Sequence, residues 1–524
     1  MKNLKNKAWS IVAGIVFVGT VLATTVFLMK VAGLNMLPTK YLAVAVMVIV
    51  VVLAAIFACF FLLPWKKKEE QEQQEPQKKP IAKYVLRSIA MILAVALVAV
   101  DVVGVQMVRK FEETISNVTD GDDGEDEPDK PKVEEFVIGV YVRTEDKAET
   151  LEDAKRYDIG YSLAFDRNNV KKAINVMENA LDRKLELEEY PSILTMIDAV
   201  LAKEKDAFIL SEEYFDVLES QEGYEDISTK IKCIYSCVVT VELEVSEKEE
   251  TPLVITKDTF IVYLGGYDTT RNVKRANSDV NILAVVNPTT KQILLVNTPR
   301  DYYVQISVSE DGTCDKLTHC GIYGVECSMD TLNEFYDIDI NYSAQVNFKG
   351  FVRLIDAIGG ITVYSEKDFA TTNEGIEFKK GDNYVNGEQA LAFVRERKQF
   401  GDGDNARGRH QMAVIKAIIK KMSSGSLLTH YDDVLDSMGK SFRCSFVQDD
   451  ITSLVKMQLG DMAEWNIQSY SVVGEGKLSK TYTIPDKKLY VMIPDEGSVE
   501  HAKKLIQMVY DGETIEKDDL KYKK

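Results

Sequence analysis

The sequence is short of histidine and has no surplus of basic residues. Four of its 524 residues are histidine, and its formal net charge is −19. Such an acidic chain is not expected to bind nucleic acid through a general basic surface. With so few histidines and no C-x-x-C pair, the sequence gives little support to a zinc centre. It also lacks the G-x-S-x-G motif of serine hydrolases and the H-E-x-x-H motif of zinc proteases.

The first 110 residues hold three long apolar runs. These cover about 8–28, 41–63 and 86–108, and each is close to the roughly 20 residues that cross a bilayer as a helix. A signal peptide would explain the first run alone. The third run contains Asp101, which has either a functional role or a place near the membrane interface. We predict a membrane anchor of three transmembrane helices over residues 1–110.

Lysines set the predicted orientation of this anchor. Three precede the first run and six lie between the second and third, whereas the first connecting loop has only Lys30 and Lys40. The positive-inside rule then places the N-terminus in the cytoplasm and everything after the third run outside it. We therefore expect a multi-pass protein of the cell membrane whose bulk is extracytoplasmic.

The exported part divides into four predicted segments. Residues 111–133 include "TDGDDGEDEPDK", which is typical of a solvated linker and lacks the spacing of a calcium loop. Residues 134–250 alternate between strand-like and helix-like patterns, which predicts a small α/β accessory domain with a packing or partner role. Residues 255–512 predict an α/β/α domain with a mixed central sheet flanked by helices, and 513–524 form a charged tail.

Six cysteines lie outside the predicted membrane spans, where disulfides are permitted. Cys314, Cys320 and Cys327 are close enough in sequence to be candidates, although connectivity cannot be deduced from spacing.

Charged residues recur at the ends of the predicted strands and helices of the larger domain. Strand ends at one edge of an open α/β sheet converge on the crevice where ligands bind. A single Asp at a strand end is more often a turn former, so the group has to be weighed together. The residues concerned are Asp268, Asp279, Arg300, Asp301, Arg395, Arg397, Arg407 and Arg409.

Two converging carboxylates repel each other unless a cation lies between them, and oxygen ligands without His or Cys favour Mg²⁺ or Mn²⁺. Arginines facing that metal would in turn need an anion, and their guanidinium groups match phosphate oxygens. A pyrophosphate between metal and arginines satisfies every charge. Arg395 and Arg397 diverge by about 200° on a regular helix, so they share such a ligand only if the helix ends there, as the following "GDGDN" suggests.

These residues lie in stretches that resemble the LytR-CpsA-Psr family of cell-envelope phosphotransferases. The resemblance covers about Thr256–Asp511 and rests on the order and spacing of "YLGGYDTT", "RANSDVNILAVVNP", "LVNTPRDYYVQI", "DKLTHCGIYG", "NFKGFVRLIDAIGGITV", "NGEQALAFVRER" and "GDNARGRHQMAVIKAI". It implies transfer of an undecaprenyl-pyrophosphate-linked glycopolymer, such as teichoic acid or capsular polysaccharide, to a sugar hydroxyl of peptidoglycan in a Gram-positive-type envelope.

The resemblance also implies roles for individual residues. Asp268 and Asp279 match the acidic metal-site positions, and Asp404 matches the aspartate of the family's D-x-x-R. Asp301 is expected either to orient Arg300 or to act as a base. His410 stands where the family usually has Arg, which leaves Arg409 as a weaker candidate, and His319 is expected to be structural. The residues expected to bind the pyrophosphate are Arg300, Lys316, Arg395, Arg397, Arg407, Arg409 and Gln411.

Two other functions are compatible with the same residues. A polyprenyl pyrophosphatase would use water as the acceptor. A non-enzymatic envelope sensor or transcriptional attenuator would bind a wall component through the accessory domain. Loss of Asp268, Asp279 or Arg300 would abolish either enzyme and leave a pure binder functional.

Overall fold

A computed structural model of the chain describes residues 2–62, 81–119, 133–162, 167–219, 221, 223–242, 253–267, 275–309, 311–401, 403–424, 431–438 and 441–523. The described residues form two compact units. One consists of Met1–Asn117 with Val447–Ala463, and the other of Val118–Phe446 with Glu464–Lys524. Asp268 and the acidic run 120–130 lie outside the described residues.

The helices of the described residues are, in chain order, α1 (Lys2–Gly33), α2 (Thr39–Phe57), α3 (Ile81–Thr119), α4 (Arg167–Leu181), α5 (Ile193–Leu201), α6 (Phe215–Glu219), α7 (Ile227–Lys230), α8 (Val325–Tyr336), α9 (Phe348–Ala357), α10 (Gly387–Arg395), α11 (Asp404–Met422), α12 (Tyr431–Met438), α13 (Gln448–Asp461) and α14 (Glu496–Tyr510). A π-helical turn at Ala58–Leu62 extends α2, and 3₁₀ turns lie at Glu212–Tyr214 and Leu317–Tyr323.

The strands are β1 (Val133–Arg143), β2 (Asp158–Ser162), β3 (Glu186–Tyr190), β4 (Ala207–Ser211), β5 (Ile231–Glu242), β6 (Phe260–Tyr267), β7 (Ser278–Asn287), β8 (Gln292–Asn297), β9 (Tyr303–Gln305), β10 (Cys314–Lys316), β11 (Tyr342–Asn347), β12 (Ile361–Ser365), β13 (Phe369–Ala370), β14 (Glu377–Phe378), β15 (Gly381–Val385), β16 (Phe442–Cys444), β17 (Asn466–Ser471), β18 (Gly474–Ser479) and β19 (Leu489–Pro494).

The first unit contains the three predicted apolar helices. The spans Trp9–Gly33, Thr39–Leu62 and Tyr84–Val118 have mean hydropathies of 2.4, 3.2 and 2.6, so each is long and apolar enough to cross a membrane. Asp101 is buried on α3, where its Oδ2 accepts a 2.6 Å hydrogen bond from the hydroxyl of Thr24 on α1. A buried carboxylate needs such a partner, so Asp101 links two helices of the anchor.

Helix α13 also belongs to the first unit, although it lies far along the chain. The Nζ of Lys456 on this helix donates to Oδ1 of Asn35 at 2.6 Å. Lys40, just after the start of α2, donates to the carbonyl of Gly460, one turn further along α13. The loop between the first two membrane helices therefore contacts α13 through two polar contacts.

The second unit holds two main sheets, both of mixed strand direction. The smaller sheet has the order β3-β2-β4-β1-β5 and the larger has the order β16-β11-β6-β7-β8-β17. In the larger sheet β7 pairs antiparallel with both neighbours, whereas the β6–β11 and β8–β17 pairs are parallel. The predicted mixed central sheet with flanking helices is confirmed. Strands β7 and β8 form a hairpin, in which "PTT" joins two β-rich runs.

The small sheet packs directly on the larger domain. Tyr141, Phe208 and Phe215 share one apolar cluster with Ile322 and Leu489, which belong to the larger domain. The guanidinium of Arg275, which precedes β7, lies 4.7 Å from the ring of Phe136 on β1. The contact surface thus includes the 3₁₀ turn Leu317–Tyr323 and the segment that leads into β7.

The disulfide expectation for the cysteines is not met. Cys314, Cys320 and Cys327 are all free thiols in the structure. Cys320 and Cys327 are buried in the core of the larger domain, where each fills apolar space as a small hydrophobic side chain.

Candidate functional site

Part of the predicted set, Asp279, Arg300, Asp301 and Lys316, lies at one edge of the six-stranded sheet. Strand β7 starts where β6 ends, because Tyr267 is paired with Ser278. The carboxyl ends of β8 and β17 meet at the same edge through the pairing of Asn297 with Ser471. The carboxyl end of β11 lies there as well, since Asn347 is paired with Tyr267. Five strands therefore deliver their ends, and the residues that follow or open them, to one place.

Four charged side chains form the centre of this edge. Arg300 Nη1 lies 2.5 Å from Asp279 Oδ1, and Arg300 Nε lies 4.0 Å from Asp301 Oδ1. Lys316 Nζ is 3.0 Å from the same Asp301 oxygen. All four side chains are at most 23% exposed. We call Asp279, Arg300, Asp301 and Lys316 the strand-end cluster.

Asp301 is ionised in this setting. Burial on its own would raise the pKa of Asp301, but the charges of Lys316, Arg300 and Arg407 outweigh it and hold the pKa below its ordinary value. A carboxylate with a lowered pKa is a weak base near neutral pH and a strong partner for cations. The arrangement therefore suits Asp301 to orienting Lys316 and Arg300.

A short hairpin brings Lys316 to the cluster. Strand β10 pairs antiparallel with β9, with Lys316 opposite Tyr303. The next residues continue the connection, because Thr318 N donates to the carbonyl of Arg300 at 2.9 Å. Lys316 was expected at the site from its place in "DKLTHC", and the hairpin shows how it reaches Asp301.

Asp315 was not singled out from the sequence. It is fully buried, and its Oδ1 lies 2.6 Å from Nδ1 of His319 while its Oδ2 accepts from Thr483 N at 2.7 Å. Burial opposes the ionisation of Asp315, but His319 and Thr483 hold its pKa below the ordinary value. In the sequence, the i, i+4 spacing of Asp315 and His319 could have pointed to this pair. The pair holds the turn that follows Lys316 in place.

Helix α11 approaches the same edge at Gly408. A Cβ on that residue would lie 2.3 Å from the side-chain nitrogen of Asn297, so a larger residue would have to displace that amide at the end of β8. The close approach brings Arg407 near enough for its charge to act on Asp301. Gln411, one turn further on, is buried. Asp404 is the first residue of α11, and its side chain lies outside the description.

Arg395 and Arg397 lie where α10 ends. The helix stops at Arg395, and Glu396 has an extended backbone with φ −70° and ψ 125°. Glu396 points inward and accepts a 2.5 Å hydrogen bond from Thr372 N, while both arginines are exposed. Because residues on either side of an extended residue share a face, the predicted condition for a common ligand is met. Arg395 Cζ is also 5.4 Å from the ring of Phe348, at the end of β11.

Arg409 and His410 face other partners. Arg409 forms a two-point ion pair with Glu366, with distances of 3.0 Å (Nε–Oε1) and 3.4 Å (Nη2–Oε2). His410 is buried among the rings of Phe369, Phe393 and Phe400. Burial is the main reason that its pKa falls to about 4, so the imidazole is neutral at pH 7.

The strand-end cluster and the neighbouring arginines suit a phosphorylated ligand. Arg300 and Lys316 lie in the cluster, Arg407 acts on Asp301 through its charge, and Arg395 and Arg397 are exposed at the end of α10. Of the two predicted metal ligands the structure describes only Asp279, which already contacts Arg300. Within the described ranges, no group of three or more His, Cys, Asp or Glu side chains is placed to hold a metal ion.

Comparison with known proteins gives consistent matches over this part of the chain. The model of the LytR_cpsA_psr family matches residues 229–499, which is more than half of the sequence. A relative named polyisoprenyl-teichoic acid–peptidoglycan teichoic acid transferase TagU, from Halalkalibacterium halodurans, is 32% identical over 243 residues, covering 46% of this chain and 76% of the relative. The protein of the same name from Bacillus cereus (strain AH820) is 33% identical over 236 residues, covering 45% of this chain and 74% of that protein.

Among solved structures, the crystal structure of B. subtilis TagV aligns with 49% of this chain and 99% of its own length, at 27% identity and a TM-score of 0.42.

Proposed function

The chain belongs to the LytR-CpsA-Psr family, and from this premise we propose that it attaches an undecaprenyl-pyrophosphate-linked glycopolymer to peptidoglycan. The relatives that are named as transferases of teichoic acid to peptidoglycan support this choice of reaction. The glycopolymer would be of the teichoic acid or capsular polysaccharide class. The single observation that carries the proposal is the strand-end cluster, in which Arg300 and Lys316 contact Asp279 and Asp301 at one sheet edge.

The proposed reaction breaks the phosphoanhydride bond of the donor. An oxygen of an acceptor sugar hydroxyl would form a bond to the phosphorus that carries the glycopolymer. Polyprenyl phosphate would leave, and the proton of the hydroxyl would pass to the departing phosphate or to solvent. Such a transfer depends on in-line positioning and on stabilising negative charge at the phosphate oxygens. Arg300, Arg407, Arg395 and Arg397 would bind those oxygens, and Gln411 and Arg409 would contact the donor further out.

We assign Asp301 an orienting role in this reaction. Its lowered pKa leaves little capacity to take a proton at neutral pH. Its carboxylate instead holds Lys316 at 3.0 Å, and Arg300 lies 4.0 Å away. With both cations held in place before the donor arrives, less ordering is needed in the transition state.

We further propose a divalent cation, Mg²⁺ or Mn²⁺, bound by Asp268 and Asp279. Two carboxylates with phosphate oxygens form a set of hard ligands that suits these ions. When bound, the ion would supply positive charge next to the pyrophosphate. Removal of divalent cations with EDTA should then abolish transfer, and Mg²⁺ should restore it. Undiminished transfer in EDTA would contradict this part of the proposal.

The three membrane helices support a membrane-anchored enzyme. We propose the orientation in which the N-terminus is cytoplasmic and the catalytic domain is outside. Lysines are concentrated before the first helix and between the second and third, and such segments tend to remain in the cytoplasm. Cysteine labelling in intact cells tests it. A cysteine-reactive reagent that cannot cross the membrane should label the exposed Cys233.

The transfer assay uses the full chain in lipid nanodiscs. A synthetic polyprenyl-pyrophosphate saccharide, peptidoglycan oligomers and Mg²⁺ would be supplied, and covalent saccharide–peptidoglycan product would be followed by mass spectrometry. Product from the wild type supports the transferase. Release of polyprenyl phosphate without that product would favour the pyrophosphatase, and donor binding without turnover would favour the sensor.

A further inference from the structure

A two-stranded sheet next to α11 exposes two tyrosines on one face. Strands β12 and β15 are antiparallel, with Thr362 opposite Tyr384 and Tyr364 opposite Asp382. Residues directly opposite each other share a face, so all four side chains lie on the same side. Tyr364 is 57% exposed and Tyr384 is 68% exposed. We call Thr362, Tyr364, Asp382 and Tyr384 the tyrosine platform.

The ring of Tyr384 is fixed although it is exposed. Its hydroxyl donates a 2.5 Å hydrogen bond to the carbonyl of Gly359. Gly360 has φ +74°, and a Cβ there would lie 2.5 Å from the Tyr384 hydroxyl oxygen and 2.6 Å from Cζ. The two glycines therefore make room for the ring, which is held at both ends while much of its surface faces solvent. A fixed aromatic surface loses little conformational entropy when a ligand stacks on it.

Helix α11 carries one residue directed to the candidate site and another directed to a neighbour of the platform. Glu366 follows Tyr364 by two residues and forms the two-point ion pair with Arg409 of α11. Arg407 and Arg409 are two apart on this helix, so their side chains diverge by about 200°. Arg407 acts on Asp301 in the strand-end cluster, and Arg409 reaches the edge of the platform. Helix α11 thus connects the two places.

The chemistry of the platform fits an uncharged sugar chain. Exposed aromatic rings pack against the apolar C–H faces of sugars. Nearby carboxylates accept hydrogen bonds from sugar hydroxyls, and nearby hydroxyls both donate and accept them. The charged member of the platform is Asp382, which is exposed and would repel the phosphates of an anionic glycopolymer. The glycan backbone of peptidoglycan is uncharged, so the acceptor fits this face better than the donor does.

We propose that the tyrosine platform binds the glycan backbone of the acceptor peptidoglycan. The identity of the acceptor rests on the proposed function. Binding itself can be measured without donor or turnover, so the two proposals fail separately.

The test is co-sedimentation of full-length protein in nanodiscs with purified sacculi stripped of teichoic acid. The double variant Tyr364→Ala/Tyr384→Ala is compared with the wild type and with Tyr510→Ala, which removes another exposed tyrosine from the end of α14. We expect loss of about tenfold in affinity for each platform ring, and no change for Tyr510→Ala. Tyr384→Phe keeps the ring and should retain most of the binding.

Binding of a short-chain polyprenyl pyrophosphate is measured on the same samples. It should be equal in the wild type and the double variant, which shows that the variant is folded. Wild-type affinity for sacculi in the double variant would overturn the platform, as would a wild type that does not sediment with sacculi. If the double variant loses sacculus binding but the wild type never forms transfer product, glycan binding by the platform is supported and the transferase proposal is contradicted.

Discussion

The charged residues at the strand ends have partners within the protein, whereas those at the end of α10 are open to solvent. Asp279, Arg300, Asp301 and Lys316 are partly buried and paired with one another. Arg395 and Arg397, at the end of α10, are exposed. The strand ends therefore form a prearranged centre, and the end of α10 supplies positive charge that an anion from solution can reach.

The largest effect is expected from Arg300→Ala, because Arg300 belongs to the prearranged centre. Loss of a fixed donor to a developing negative charge lowers turnover by about 10²–10³-fold. The transfer assay measures it, with Arg183→Ala in the accessory domain as a control that removes one exposed arginine. Equal activity of Arg300→Ala and wild type would contradict a catalytic role for the prearranged centre.

His410 is a buried neutral group on the helix side, and it gives the next largest effect. Its folded-state pKa is lowered to about 4, so stability is complete above the ordinary value of about 6.5 and is lost as pH falls from there towards 4. The loss approaches about 3 kcal/mol. His410→Phe should lack this component, so the difference in thermal-unfolding midpoint between variant and wild type should change across that window. A constant difference would show that His410 does not titrate as described.

Asp301→Asn tests whether the charge of Asp301 stabilises the strand-end cluster. At pH 7 the variant loses a buried charged partner of Lys316, at a cost of about 1–3 kcal/mol in the free energy of unfolding. The folded-state pKa of Asp301 is lowered, so its contribution is present above the ordinary value of about 3.9 and disappears as pH falls below it. Thermal unfolding measured as pH is lowered from 7 into the acid range should show the difference between variant and wild type shrinking below a pH of about 3.9.

The smallest effect is expected where the ion pair is exposed. Glu366→Gln breaks the pair with Arg409, whose two side chains are 36% and 52% exposed, so stability should change by at most about 1 kcal/mol. Thermal unfolding at low and high salt measures it. A larger loss of unfolding free energy that salt does not reduce would contradict the assignment of this ion pair as exposed.

The elements near the site were predictable where the sequence pattern is local. The β7–β8 hairpin follows from two β-rich runs around a short turn, and the end of α10 follows from "GDGDN" after Arg397. The pairing of Lys316 with Asp301 was not predictable, because it depends on β9 and β10, which are three residues each. The partners of Arg409 and His410 are similarly non-local: Glu366 follows β12, and the rings around His410 come from separate aromatic residues of the core.

Pyrophosphate binding by both sets of charges is the central claim. Its most direct test is calorimetric titration of full-length protein in nanodiscs with a short-chain polyprenyl pyrophosphate. Wild type, Arg300→Ala, Arg397→Ala and Arg183→Ala would be compared. We predict that Arg300→Ala and Arg397→Ala each weaken binding by about tenfold or more, as expected for a charged hydrogen bond, and that Arg183→Ala does not. Wild-type affinity in both site variants would contradict the account.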